Sequence, residues 1–398
     1  MQANKRLNIV IWAFPSWNGD YLKSTVELAK ELAVHHNILY IDYAYTIKDV
    51  LASTANSTLP VRQILNGSES LKRVKLESGG VISVLSLPPI VPFNWTGSKT
   101  IYKIIERVNY SLVSRRIRKA ITSLNFNADI VVNAFNPFFA NAIPKIFPGL
   151  PVIYYCYDNI DAAAWASRHG ARLEGEMAEN ITAAVFSSDA LKQNKAWEIP
   201  AYVVRNGVDL RNFNKVAVPP ANYKNSAAKR KVIGYVGSID DRLDFTLLEK
   251  LVMANPHYDF YFVGRIITDR AQVLKSFPNV TFTGAVAPER LPAAMIHFDA
   301  GIIPFVKNDF TKNIYPMKVN EYLALGIPVV ATGFARFNDL SGLLEVADDA
   351  IAFSAKLNEA INANSEGKRR ERKLTAYGNS WENKASEFHN IILQYAVR

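Results

Sequence analysis

Short runs rich in Val, Ile and Tyr, each followed by a segment of helical period, recur along the first half of these 398 residues, break off once, and then recur. The alternation is the pattern of parallel sheets with crossover helices. Strands buried on both faces read as continuous apolar runs, and parallel neighbours need a long connection between them. The pattern predicts strands at Leu7–Ala13, Asn37–Asp42, Val81–Leu87, Asp129–Ala134, Pro151–Tyr157 and Ala183–Ser187, with helices at Tyr21–Val34, Lys99–Leu124 and Arg172–Asn180. Serine, asparagine and glycine over Ala52–Ser70 predict a loop.

The break is the stretch from Phe213 to Lys231, with adjacent Pro219 and Pro220, small polar residues and a basic cluster. Strands then start afresh at Val232–Val236, Asp259–Val263, Val280–Thr283, Ala300–Pro304 and Val329–Ala331. The expectation is an α/β chain of two Rossmann-like domains facing a cleft: an N-terminal domain over 1–211, a linker over 212–231 and a second domain over 232–378. A last helix, over 379–398, is set off by Gly378 and Asn379 and is expected to pack back on the first domain. Open sheets of this kind bind ligands beyond the carboxyl ends of their strands, so that edge is where chemistry is sought.

Hydrophobic residues at 49% leave enough for two cores and exclude wholesale disorder. The single cysteine, Cys156, cannot form an intrachain disulfide, which fits a reducing, cytoplasmic compartment. The apolar run Leu7–Phe14 is broken by Asn8 and runs into Pro15 without a cleavage site, so it reads as a buried strand and not as a signal peptide. No uncharged run reaches the roughly 20 residues a bilayer span requires. The formal net charge is +10, and the stretch Lys103–Lys119 holds six basic residues against Glu106 alone. Arg115, Arg116, Arg118 and Lys119 lie among Tyr102, Ile104, Ile105, Val108, Leu112 and Ile117. This stretch is either a solvated helix face or a basic amphipathic helix for anionic head groups at the inner face of a membrane. No nucleic-acid motif accompanies the charge, and nucleic acid is not expected as a partner.

The most informative segment is Asn313-Ile-Tyr-Pro-Met-Lys-Val-Asn-Glu321-Tyr-Leu-Ala-Leu-Gly326-Ile-Pro328. Pro316 suits the first turn of a helix, where its missing amide proton costs nothing, and Gly326 and Pro328 end that helix. Unpaired amides around Met317 and Lys318 make a seat for phosphate, to which the Lys318 ammonium adds charge. Glu321 lies one turn on, placed to accept from the vicinal hydroxyls of a ribose. Phosphate and ribose sites this close together describe a nucleotide.

Here the sequence resembles the GT-B glycosyltransferases, specifically the retaining enzymes of glycosyltransferase family 4, or group 1. The resemblance runs through Gly234-Tyr-Val-Gly237, Phe262-Val-Gly264, Phe282-Thr-Gly284, Asp299-Ala-Gly-Ile-Ile-Pro304 and the Glu321 helix, and extends to Phe186-Ser-Ser-Asp189-Ala-Leu191 and Val204-Arg-Asn-Gly207-Val-Asp209. Leu7–Leu150 matches in outline only. The family often carries two glutamates eight positions apart, and Asn313 stands in the first place; a branch with Pro-x-Lys-x-x-Glu-Tyr-Leu-Ala shares that departure. The family also supplies an Arg and a Lys after its glycine loop. Arg242 matches the first, no Lys follows it in Leu243–Leu247, and Lys318 is the candidate substitute.

The resemblance implies transfer of a sugar from a nucleotide diphosphate donor to a glycan or lipid-linked acceptor, with retention, in assembly of a bacterial-type surface polysaccharide. Gly237 would let a phosphate approach the backbone, Arg242 would pair with it in forked geometry, and Gly284 would face the base with its amide. Charge on the leaving diphosphate would be met by Arg242, Lys318 and helix amides, so no metal or other cofactor is expected; no Asp-x-Asp triplet is present.

In the first domain Asp158, at a strand's carboxyl end, is the candidate to orient an acceptor hydroxyl or sense the sugar. Glu176 stands behind it, with helix exposure as its plain alternative, as loop solvation is for Asp161. Trp17 and Gly19, in the loop after the first strand, are candidates for sugar stacking and close approach, and Asp20 reads equally as a helix cap. A dinucleotide dehydrogenase lacks its Gly-x-Gly-x-x-Gly here, and a serine hydrolase its Gly-x-Ser-x-Gly. A nucleotide-sugar epimerase and a non-catalytic nucleotide-sugar binder remain the alternatives to transfer.

Overall fold

The computed structural model describes residues 6–19, 22–53, 59–163, 166, 168–215 and 230–396. It divides into two compact units, Met1–Arg205 with Trp381–Arg398, and Asn206–Ser380. The division falls at Asn206, ahead of the 212–231 stretch read as a linker. Residues 216–229 of that stretch, like Asp20 and Tyr21, lie outside the described residues.

The first unit holds an eight-stranded sheet ordered β3-β4-β2-β1-β5-β6-β7-β8. Its strands are β1 (Asn8–Ala13), β2 (Asn37–Ile41), β3 (Leu71–Lys75), β4 (Val81–Leu85), β5 (Ile130–Ala134), β6 (Val152–Cys156), β7 (Ala183–Phe186) and β8 (Ala201–Val203). All pairings are parallel except β3 with β4. β1 lies between β2 and β5, in registers such as Ile9↔Ile38 and Ile9↔Ile130, and Ile9 and Val10 are fully buried. The chain steps from β1 to β2 on one side and returns to β5 on the other, so strand order reverses between β1 and β5.

β3 was not expected from sequence. It is the edge strand Leu-Lys-Arg-Val-Lys, whose exposed Lys72, Arg73 and Lys75 discourage pairing with another chain and give the segment the letters of a loop. The loop expected over Ala52–Ser70 contains the short helix Val61–Leu65, pinned by buried Ile64; residues 54–58 lie outside the described residues.

The helix Trp381–Tyr395 belongs to this first unit. Its apolar residues Trp381, Ala385, Phe388 and Ile392 recur at helical spacing and are all buried. Phe388 meets Tyr155 edge-on at 5.6 Å, and His389 Nδ1 lies 2.9 Å from His36 Nε2.

The second unit is a six-stranded parallel sheet ordered β11-β10-β9-β12-β13-β14. It is built from β9 (Lys231–Val236), β10 (Tyr258–Val263), β11 (Val280–Gly284), β12 (Ala300–Ile303), β13 (Val329–Ala331) and β14 (Leu344–Val346). Ile233, Phe260, Phe262, Ile303, Leu248 and Phe353 are fully buried between sheet and helices. Here the order reverses between β9 and β12, which fixes where a ligand crevice opens.

Candidate active site

β9 ends at Val236, and Gly237 turns the chain with φ of 122°, its amide donating to the Val263 carbonyl at the end of β10 (2.9 Å). The loop beyond is laced to the chain after β10 by Ile239 N–H donating to Arg265 O (2.9 Å), and to the chain after β12 by Asp244 N–H donating to Pro304 O (2.8 Å) and Val306 N–H to Arg242 O (2.8 Å). Asp244 caps the helix Phe245–Ala254. These bonds bring the carboxyl ends of β9 and β12 together at the switch point.

Arg242 was expected to open its fork toward a phosphate. In the structure it grips Asp240, Nε donating to both carboxylate oxygens (2.9 and 3.2 Å) and Nη2 to Oδ2 (2.6 Å). The two residues are joined through a tight turn in which the Arg242 amide also donates to Asp240 (3.0 Å). Burial works against an ionised Asp240, but the Arg242 side chain and amide outweigh it and hold the carboxyl below its ordinary range. Asp240 thus fixes the guanidinium over the Phe305 ring at 5.5 Å.

The helix Met317–Ala324 faces this loop. Pro316 occupies its N-cap position, one residue before the first turn, and supplies no side-chain acceptor to the opening amides. Tyr322, beneath, donates to Gly234 O and accepts from Val236 N–H, both at 3.1 Å, which locks the helix against β9. That lock places the Lys318 ammonium 5.1 Å from the Tyr235 ring centre and 5.0 Å from that of Phe305, a seat favoured by the negative ring faces. The ammonium also lies over Gly237, where a Cβ would stand 2.8 Å from Nζ.

Burial, and then the Arg242 charge, push Lys318 below the usual lysine range; Glu321 and Asp240 pull the other way. Glu321, 7% exposed and one turn further on, is raised by burial against the pull of Lys318. Gly237, Arg242, Met317, Lys318 and Glu321 therefore meet at one edge of one unit. Gly284, at φ of 79°, ends β11 on the same edge, two strands from β9. The residues that sequence reasoning missed are Asp240, Tyr235 and Phe305; the two aromatic residues sit in or beside strands and carry the letters of core.

In the first unit the candidates are less gathered. Asp158 follows β6, half-buried, and accepts from the Asn159 amide (2.9 Å). Glu176 is exposed on the helix Gly170–Ala178 and paired with Arg172 (2.7 Å), so it turns away from the strand ends. The inward carboxylate is Glu174, which accepts from Tyr154 (2.7 Å) and pairs with Lys195; Lys195 also bonds Asp161 (2.8 Å). Burial raises the Glu174 pKa, against the Lys195 charge. Trp17 packs edge-on against Tyr40 at 5.2 Å and its amide donates to Asp42 (2.7 Å). Burial lifts the Asp42 carboxyl to about 6 despite that bond. A Cβ at Gly19 would stand 2.6 Å from the Lys23 ammonium, which holds the loop through Ser16 O (2.7 Å), so the space this glycine leaves is taken by the protein itself.

Among the described residues no group of three or more His, Cys, Asp and Glu side chains is placed to hold a metal ion, and no helix is long and apolar enough to cross a membrane.

Two Rossmann-like units are the architecture of the GT-B class, and comparison with known proteins agrees. Residues 230–363 match the family model "Glycosyl transferases group 1". A stretch of 165 residues is 31% identical to TuaH of Bacillus subtilis (strain 168), whose name assigns it to teichuronic acid biosynthesis as a glycosyltransferase. The match covers 39% of this chain and 41% of TuaH. Solved structures align along almost the whole chain. Sucrose-phosphate synthase from Thermosynechococcus elongatus has a TM-score of 0.69 at 14% identity, covering 98% of this chain and 99% of that one. A UDP-forming trehalose-phosphate synthase from Burkholderia xenovorans has 0.68 at 9%, covering 98% and 100%. At such identities the likeness is one of fold. The family-model match falls within the second unit, and the fold of the whole chain is the GT-B fold that these solved structures share.

Proposed function

We propose that the chain transfers a sugar from a nucleoside diphosphate donor to a glycan or lipid-linked acceptor during assembly of a bacterial surface polysaccharide. The observation that carries this reading is the Lys318 ammonium poised over Gly237 beside Arg242, with buried Glu321 one turn away. As the glycosidic bond breaks, negative charge gathers on the departing diphosphate, and preorganised cations and helix amides stabilise it. Lys318, Arg242 and the amides of Met317 and Lys318 take that role in this reading, without a metal. Glu321 accepts from the ribose hydroxyls, Gly284 offers its backbone to the base, and Asp158 orients the acceptor. Retention is taken into this reading on the family resemblance alone.

Calorimetry with UDP, GDP, ADP and TDP tests the donor site. Glu321→Ala should weaken the nucleotide that binds by about 1 to 3 kcal/mol through lost charge-assisted hydrogen bonds. Unchanged affinity in the folded variant removes Glu321 from the site. Incubation with nucleotide sugars, with and without acceptor, tests transfer itself. Diphosphate release that requires acceptor supports it, and an altered sugar without release replaces it with epimerisation.

The reading includes attachment to the inner, anionic face of a membrane. On the helix Lys99–Leu124, Tyr102, Ile105 and Ile117 turn inward, whereas Ile101 (41%), Ile104 (57%), Val108 (45%) and Leu112 (41%) face out, with Trp95 (62%) just ahead of the helix. An exposed apolar stripe flanked by Lys103, Arg107, Arg115, Arg118 and Lys119 suits a helix lying in a lipid interface. Arg116 does not belong to that rim: its guanidinium turns in to donate to Ile64 O (2.6 Å). Reversing Arg107, Arg115, Arg118 and Lys119 to glutamate should abolish sedimentation with phosphatidylglycerol vesicles, each charge contributing about 1 kcal/mol. An unchanged vesicle-bound fraction would remove the membrane from the reading.

A further inference from the structure

The first unit contains a cavity of about 370 Å³, within the range of ligand pockets, at the carboxyl ends of β1, β2 and β5 where its strand order reverses. Five aromatic residues line it: Phe14, Tyr43, Phe93, Phe138 and Phe139. Phe14 lies 5.3 Å from Tyr43 and 5.9 Å from Phe138, Phe93 lies 5.1 Å from Phe138, and Phe139 is backed by Trp12 at 5.4 Å.

Among the described residues no charged side chain lines the cavity. Two of its polar residues are committed to the fold. Thr46 caps the helix Ile47–Leu51 in a reciprocal pair with Asp49, and Asn136 donates its backbone amide to Asn133 Oδ1 (2.9 Å) and its side-chain amide to Ala13 O (3.5 Å). A phosphate would meet no cation here, and a sugar ring would find aromatic walls with little left to bond its hydroxyls. Phe93 also packs edge-on against Tyr102 at 5.8 Å, in the first turn of the Lys99–Leu124 helix. The rim at Phe93 and Asn94 therefore leads, through exposed Trp95, toward the outward stripe of Ile101 and Ile104.

We propose that this cavity binds the uncharged hydrocarbon chain of a lipid-carried acceptor next to its glycan. The proposal rests on the transferase reading for its acceptor and names where that acceptor's chain sits. A hydrocarbon chain gains by leaving water for an apolar pocket in which water finds few polar partners. A chain drawn from a lipid surface along the helix stripe passes exposed Ile104, Ile101 and Trp95 before the aromatic wall of the cavity.

The test is calorimetry of the full chain with methyl, hexyl and octyl β-D-glucoside below their micelle-forming concentrations, with nucleoside diphosphates titrated separately. Each methylene that enters should tighten binding by up to about fourfold, so octyl should exceed methyl by about tenfold or more. Asn94→Trp, at the exposed rim, and Ala44→Leu, in the wall, should flatten that dependence and leave nucleotide binding unchanged. Should Ala44→Leu fail to fold, the rim variant still decides. Equal affinity for methyl and octyl glucoside overturns the proposal in favour of a sugar site. Full chain-length dependence in the folded filled variants overturns it in favour of the helix stripe. Alkyl-dependent binding without any nucleotide heat would sink the transferase reading and leave the cavity standing; nucleotide heat without alkyl dependence does the reverse.

Discussion

Lys318→Met is expected to lower acceptor-dependent release of nucleoside diphosphate by about 10²- to 10³-fold in kcat, the usual loss when one preorganised charge is withdrawn from a transition state. The substitution keeps the length of the side chain and its contact with Tyr235 and Phe305, so the helix should stay in place. Donor affinity should fall less, because in the proposed site Arg242 and the helix amides would still meet the ground-state diphosphate. The pH profile gives a second readout. Burial and Arg242 push the ammonium down, so in the free enzyme it gives up its proton at a lower pH than an exposed lysine does. The alkaline limb of kcat/KM should accordingly lie below the ordinary lysine range, and because Glu321 titrates against Lys318 that limb belongs to the pair. Bound diphosphate favours the charged ammonium and should shift the limb of kcat upward. A Lys318→Met enzyme with wild-type kcat and an intact alkaline limb would take the leaving-group role away from Lys318.

What could be read from the letters, and what could not, follows from the range of the interactions involved. Strands such as β1, β6, β10 and β12 announce themselves because burial on both faces demands unbroken apolar runs. β8 and β14, three residues each at or near sheet edges, owe their conformation to a neighbouring strand and leave no such run. Within the site, Lys318 and Glu321 were legible together because helical spacing fixes their separation. The Arg242 fork was expected to open toward a phosphate, and its closure on Asp240 was not legible, since a fork closed across two residues depends on the turn's geometry. The first unit repeats the lesson with Glu174 and Glu176: both lie on one helix, and only its orientation against β6 decides that Glu174 meets Tyr154 while Glu176 meets solvent and Arg172. Tyr235 and Phe305 went unnoticed because a ring that seats a cation and a ring that fills a core are written with the same residues.

The second large effect is expected from Gly264→Ala, and it tests whether the turn after β9 is held by backbone contact. A Cβ on Gly264 would stand 1.9 Å from the Gly237 carbonyl oxygen and 2.7 Å from its carbon. No flexible side chain is there to yield, so one of the two loops must move. The Gly237 N–H···O=C Val263 bond and the paired bonds of Ile239 with Arg265 and Ile267 run through this contact. Moving it displaces Asp240 and, through it, Arg242. Destabilisation of about 3 kcal/mol or more is expected, at the upper end for overpacking. In whatever folded population remains, transfer should drop by about 10²-fold, because a displacement of about 1 Å in a positioning element is enough for that. Gly342→Ala separates steric from conformational strain: Gly342 also has positive φ, 80°, but nothing lies within 4 Å of its added Cβ. It should lose only about 1 to 2 kcal/mol, the penalty for a left-handed backbone. Urea unfolding of the two variants, with nucleotide titration of each, decides the matter. If Gly264→Ala unfolds no more readily than Gly342→Ala and still binds nucleotide as the wild type does, the close contact between the two loops is not what shapes the proposed phosphate seat.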